Sequence, residues 1–231
     1  PEGNTLKLHL FSPDMEEQYP GNLEVDVRYT FDDENRLEIA YHAVSDRDTI
    51  CNLTNHVYFN LSGHSSTDLE KQKMQIHGNE FLPADKTQIP TGELRSVTGT
   101  PFDFRLPKPI GQDIAADDEQ LVIGEGYDHN YVLNHQKSEV IWEAAAAYSE
   151  QSGISLVCRT DQPGVQFYTG NHLGPQRGKG GVSYGFRQGF CLETQAFPDA
   201  VHHENFPDIL LKAGKEYCHR TIYEFGVGEP F

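Results

Sequence analysis

Cations are few in this sequence. Lys and Arg total 18 against 35 Asp and Glu in 231 residues, a formal charge of −17 with histidine neutral. A nucleic-acid binder needs clustered cations to displace counterions from phosphates, and an anionic membrane surface makes the same demand, so both partners are disfavoured. Cysteine is scarce too. Cys51, Cys158, Cys191 and Cys218 stand far apart, with no CxxC pair and no Cys/His spacing of a zinc site, and they read as reduced core residues. No run of 18 apolar residues occurs, and the first residues, PEGNTLKLHLF, lack a basic region followed by an apolar one. The expected location is therefore cytoplasmic. Two glycosylation sequons, at Asn52 and Asn60, carry no meaning in that setting. Absent as well are GxGxxG opening a helix, GxxxxGK[ST] and HExxH. Dinucleotide oxidoreductases, P-loop nucleotidases and zincins all lose support.

What is present is turn chemistry and alternation. There are 21 Gly and 13 Pro, and aromatics make up 11% of the chain, enough for a packed domain rich in turns. The length suits one domain, 1–231. Leu23, Val25, Val27, Tyr29 and Phe31 alternate with polar residues, the tetrad Asp32-Asp33-Glu34-Asn35 supplies a turn, and Leu37, Ile39, Tyr41 and Ala43 resume the pattern. Residues 23–44 thus read as an antiparallel hairpin. Further strands are expected at 5–11, 73–77, 139–148, 153–160, 164–169, 189–194 and 216–227. The segment 143–147 is helical on propensity, yet its flanks favour a strand. Long irregular segments at 62–72, 83–126 and 170–188 are where a β scaffold builds a site. The expectation is an all-β, sandwich-like fold.

Three polar clusters interrupt apolar runs: NLTNHVYFNLSGH (52–64), GYDHNYVL (126–133) and GFCLETQAFPDAV (189–201). Each has a bland reading. A histidine such as His56 among aromatics is more often a hydrogen-bonded core residue than a catalyst. Asp128 and His129 would face opposite sides of an extended run, although a structural turn is the simpler account of that segment taken alone. Glu193 lies in an apolar strand, where an unpaired carboxylate is costly to bury and has its pKa raised; a solvated strand face is the alternative.

Taken together, the runs NLTNHVYFNLSG, IPTGELRSVTGTPFDFR, GYDHNYVL, TDQPGVQFYTGN, GFCLETQAFPDAV and FPDILLKAGKEY, in this order, closely resemble aldose 1-epimerases, the galactose mutarotases. The resemblance extends from about Thr5 to Phe225. It implies a large antiparallel β-sandwich of the galactose mutarotase type, here without its N-terminal strands, so that 1–231 would be the C-terminal majority of one domain. It also implies interconversion of the α and β anomers of a free aldohexose by acid–base ring opening, with no metal, nucleotide or redox cofactor. By the family pattern Glu193 would be the general base at the C1 hydroxyl and His56 the general acid at the ring oxygen. Asp128 and Gln166 would bind sugar hydroxyls. His129 would be structural, and Phe104, Tyr168 and Phe197 are candidate apolar faces for the sugar ring.

Two family elements have no counterpart in the sequence, an Arg in a GR-containing turn and a second active-site His in an LHGG-like segment. His9, His42 and His64 lie in the wrong contexts to replace them. The expectation is that the chain alone is a weak or inactive epimerase unless another chain supplies the missing part, and that it is unstable or paired with a complementary N-terminal segment or a second copy of itself. Three other functions compete. A phosphosugar epimerase would need converging cations. A non-catalytic sugar-binding homologue would keep the pocket without turnover, and a glycoside hydrolase would need Glu193 and Asp128 as facing carboxylates.

Overall fold

The structure is a computed structural model that describes residues 3–135 and 140–231. Two antiparallel sheets dominate it. The larger runs in spatial order through Thr5–Ser12, Leu23–Phe31, Arg36–Ser45, Glu216–Val227, Ile154–Thr160, Trp142–Tyr148, Lys73–Ile76 and Lys108–Pro109. The smaller runs through Cys191–Gln195, Gly164–Tyr168, Asp128–Leu133, Gly78–Phe81 and Arg95–Ser96. Short two-residue pairs and one small helix, Glu119–Ile123, complete the described elements alongside four 3-10 turns. No helix among the described residues is long and apolar enough to cross a membrane.

Local chemistry explains most of these strands. In the expected hairpin, Asp32 Oδ1 accepts from the backbone N–H of Glu34 and of Arg36 at 3.0 and 2.9 Å, and Asn35 takes the left-handed conformation that the turn requires. Along Glu216–Val227, Tyr217, His219, Thr221 and Tyr223 point inward and are buried, as alternation requires. Ala144 to Ala147 are strand, and all four are fully buried between neighbouring strands. Tertiary pairing overrides the helix propensity of alanine there. The strand expected at 139–148 is seen as Trp142–Tyr148, and residue 139 lies outside the described residues. Two differences stand out. Gly78–Phe81 is a strand to which the sequence pattern assigns no element, and Asp128–Leu133 is a strand, not a turn.

A single buried cluster draws side chains from both sheets, including Ile39, Tyr41, Leu156 and Tyr223 from the larger and Phe81, Tyr131, Phe167 and Leu192 from the smaller. Inter-sheet loops fill the rest. Phe102 stacks on Phe81 with centroids 4.2 Å apart, and Phe104 meets Tyr127 and Phe167 edge-on at 5.0 and 5.4 Å. At the rim of the larger sheet, Thr5–Ser12 is an edge strand whose Leu6, Leu8 and Leu10 are 45, 49 and 59% exposed.

Candidate active site

The smaller sheet has its core face turned inward and its other face turned to a cleft. Cross-strand register pairs Gln166 with Glu193 and Asn130, and Tyr168 with Cys191 and Asp128. A period of two then sends Val165, Phe167, Leu192, Thr194, His129 and Tyr131 to the opposite side, where all are buried. The cleft, of about 400 Å³, is lined by Glu193, Asp128, Gln166, Tyr168 and His56, together with Tyr58, His172, Gln195 and Pro198. All four expected site residues therefore converge. His56 Nε2 lies 3.4 Å from Glu193 Oε1, and Gln166 Nε2 donates to Asp128 Oδ1 at 2.7 Å.

His56 belongs to no strand, and side chains dock its segment onto the strand that carries Glu193. Asn52 pairs with Ala196 as a backbone neighbour would: its Oδ1 accepts from the N–H at 2.9 Å and its Nδ2 donates to the carbonyl at 3.0 Å. Thr54 Oγ1 donates to Thr194 O at 2.8 Å. The Tyr223 hydroxyl reaches Leu192 O at 2.6 Å and the Asn55 amide at 2.8 Å. Phe59 and Phe190 close the docking with a reciprocal backbone pair at 2.8 and 2.9 Å. Both sequon asparagines thus have internal duties, since Asn60 Nδ2 donates to Ser66 O and Gln188 O.

Asp128 is fixed by its surroundings. Its backbone N–H donates to Nδ1 of the buried His129, whose Nε2 reaches Gln120 Oε1 at 3.2 Å. Just before it, Gly126 has φ +137 and faces Asn171, whose Oδ1 a Cβ would meet at 2.5 Å, so only glycine fits. Of the three aromatic candidates only Tyr168 reaches the cleft. Phe104 is fully buried in the inter-sheet stack, and Phe197 packs edge-on against Phe206 in a separate small cluster. Tyr58 and Gln195 were readable, each two residues from a named site residue. His172 sits in the irregular 170–188 segment, where no periodicity points to it, and its N–H donates to the Tyr168 hydroxyl at 2.9 Å. A larger concavity of about 710 Å³ near Asp208–Leu211 contains Asp161 beside Arg220 at 3.9 Å, but none of the four site residues.

A family model described as aldose 1-epimerase matches residues 1–224. The chain is 44% identical over 225 residues to galactose mutarotase of Bos taurus, covering 97% of this chain and 64% of that protein. The chain belongs to the aldose 1-epimerase family. It is also 41% identical to aldose 1-epimerase of Escherichia coli (strain K12), covering 94% of this chain and 62% of that one. Among solved structures it is similar to an aldose epimerase homologue from C. elegans (TM-score 0.87, 30% identity, 98% and 66% covered). It is similar as well to galactose 1-epimerase from Lactobacillus acidophilus (TM-score 0.84, 33% identity, 97% and 63% covered). The chain spans a little under two thirds of the length of these relatives.

In this aldose 1-epimerase-family cleft, burial and then the neighbouring Asp128 charge push the Glu193 carboxyl up to about 8. Burial raises Asp128 also, against the Gln166 hydrogen bond that favours its ionised form. His129 is pushed down to about 3 by burial and stays neutral, which suits a residue that accepts the Asp128 N–H. Burial drives the Cys191 thiol upward, reinforced by the Glu193 and Asp128 charges. His56, Cys191 and Glu193 bring a nitrogen, a sulfur and an oxygen within 4.8 Å of one another, and these three groups satisfy each other. What the arrangement offers is a raised carboxyl beside an imidazole, with two hydrogen-bonding side chains across the cleft.

Proposed function

We propose that the protein carrying this chain is an aldose 1-epimerase that interconverts the α and β anomers of a free aldohexose, with residues 1–231 belonging to one such domain. The observation that carries this reading is the 3.4 Å approach of Glu193 Oε1 to His56 Nε2 in a cleft shared with Asp128 and Gln166. Ring opening removes a proton from the C1 hydroxyl and delivers one to the ring oxygen, and both oxygens are bonded to the same carbon. A base and an acid that serve them must be neighbours, as these two groups are.

In the forward step Glu193 takes the C1 hydroxyl proton, the C1 carbonyl forms, and the bond from C1 to the ring oxygen breaks. Its electron pair stays on that oxygen, which receives the proton of His56 Nε2. The aldehyde then turns about C1–C2. Closure on the other face runs the transfers in reverse, so no proton or electron is consumed, and groups positioned in this way each contribute on the order of 10² to 10⁴ in rate. Asp128 accepts from sugar hydroxyls, and Gln166, through its contact with Asp128, holds that carboxylate toward the cleft. A neutral sugar suits the lining. No Lys or Arg is among the described residues that line the cleft, so a sugar phosphate would find no counter-charge there.

Polarimetry of freshly dissolved α-D-galactose or α-D-glucose tests the reading. Mutarotation well above the spontaneous rate is expected, and folded protein that binds sugar without accelerating it would make this a binding homologue. Release of reducing sugar from a glycoside would assign Glu193 and Asp128 to hydrolysis instead.

A further inference from the structure

His56 is held at both ring nitrogens. Nε2 faces Glu193 and the cleft, while Nδ1 lies 3.3 Å from Cys191 Sγ, its one hydrogen-bonding neighbour among the described residues. Cys191 is fully buried on the cleft-side face of its strand, two residues before Glu193, and the reaction written above does not use it. Tyr58 and Tyr168 flank the imidazole, with centroids 4.9 and 5.8 Å from it.

The two nitrogens are not equivalent in the chemistry. An imidazole that gives and regains its proton at Nε2 must keep Nδ1 protonated throughout; in the other neutral tautomer Nε2 already carries the hydrogen and could lose it only by becoming an imidazolate. The partner of Nδ1 therefore decides whether His56 can act as an acid at all. We propose that Cys191 is a positioning residue: its sulfur accepts the Nδ1–H of His56 and so reserves Nε2 for the transferred proton. A thiol sulfur is a weak acceptor. It serves here because, on a ring whose side chain is 51% exposed, Nδ1 faces the buried Cys191 and has no other hydrogen-bonding neighbour among the described residues. Because burial, reinforced by the neighbouring carboxylates, keeps the thiol protonated, it orients the ring without trapping it as a permanent thiolate–imidazolium pair.

This inference deepens the epimerase reading and rests on His56 being the acid. Its test is ¹⁵N–¹H correlation spectroscopy of the histidine ring nitrogens in the unliganded protein, at a pH where His56 is neutral, combined with polarimetric kinetics of Cys191→Ala and Cys191→Ser. The wild type and Cys191→Ser, whose hydroxyl also accepts, are expected to show the Nδ1–H tautomer. Cys191→Ala is expected to lose it, with kcat down roughly five- to tenfold, the worth of one net hydrogen bond, and KM within about twofold. An Nε2–H tautomer in the wild type overturns the proposal, as does Cys191→Ala that keeps both the Nδ1–H tautomer and kcat. If Cys191→Ala does not fold, the wild-type and Cys191→Ser spectra decide. The spectra need no turnover, so an Nδ1–H wild type that anomerises no aldose sinks the functional reading and the proton-transfer role with it, and leaves standing only the contact in which Cys191 accepts the Nδ1–H.

Discussion

Glu193→Gln separates the cost of the buried carboxyl from its use. In the unfolded chain this group titrates near 4.5, and in the folded protein at about 8. Between those values the folded state keeps a proton that the unfolded state has lost. Stability is therefore fully present below pH 4.5 and falls as pH rises to 8. At 1.36 kcal/mol per pH unit the span amounts to about 5 kcal/mol. Glutamine mimics the protonated form at every pH and has no proton to surrender, so the variant escapes that loss. With an unfolding entropy of about 2.1 cal/mol/K per residue, 231 residues convert 5 kcal/mol into a Tm difference of about 10 °C.

Calorimetric melts of both proteins from pH 4 to 9 give the measurement. The variant's Tm minus the wild-type Tm should be near zero at the acid end, open through the window and level off above pH 8, while polarimetric activity falls by about 10² or more at every pH. Subtraction removes the titrations that both proteins share. A difference that stays flat with pH, or one that favours the wild type at alkaline pH, would refute the argument that Glu193 is a desolvated carboxyl. A large Tm gain with unchanged turnover would leave the electrostatics standing and remove Glu193 from the chemistry.

Three further outcomes are expected. Asp128→Asn removes the second cause of the high Glu193 value, so the acidic limb of the kcat/KM profile, expected near pH 8 in the wild type, should move to lower pH while KM rises; an unmoved limb would show that burial acts alone. Thr54→Val removes the donor to Thr194 O and should cost about 1–2 kcal/mol in denaturant unfolding, lower kcat more than it raises KM, and be reversed by Thr54→Ser. Phe104→Ala should destabilise by about 3–5 kcal/mol yet leave the KM of the folded fraction unchanged, since its ring is in the inter-sheet stack; a raised KM would return it to the sugar face.

Strands with one face in the core and one in solvent were legible because burial imposes a period of two on the side chains. Leu23–Phe31 and Glu216–Val227 are of this kind, and their observed limits match the expected ones. Asp128–Leu133 was harder. His129, Asn130 and Tyr131 are buried in succession, because the polar face of this strand is covered by the site itself, and alternation of exposure disappears. The site residues owed their recognition to the joint order of several motifs. Taken one at a time, His56, Asp128 and Glu193 each had a structural account at least as good. The misplaced aromatics follow from the same limit: Phe104 and Tyr168 are indistinguishable in sequence, and only the register that sets Tyr168 opposite Cys191 and Asp128 puts one in the cleft and the other in the core.

The segment around His56 shows how the fold supports a costly site. Glu193 lowers stability at neutral and alkaline pH by a few kcal/mol, and its partner rides on backbone that makes no continuous ladder. Left to itself, such a segment would let the imidazole drift by more than the fraction of an ångström that proton transfer tolerates. Asn52, Thr54 and Tyr223 supply the cross-strand bonds that the ladder lacks, at Ala196, Thr194 and Leu192, on both sides of Glu193. At about 0.5–1.5 kcal/mol net for each bond, the four together are of the same order as the burial cost of the carboxyl. The expense of the base and the precision of the acid are therefore met by one set of contacts. For that reason Thr54→Val is expected to change kcat and stability together, whereas Phe104→Ala, fully buried but remote from that docking, should change stability alone.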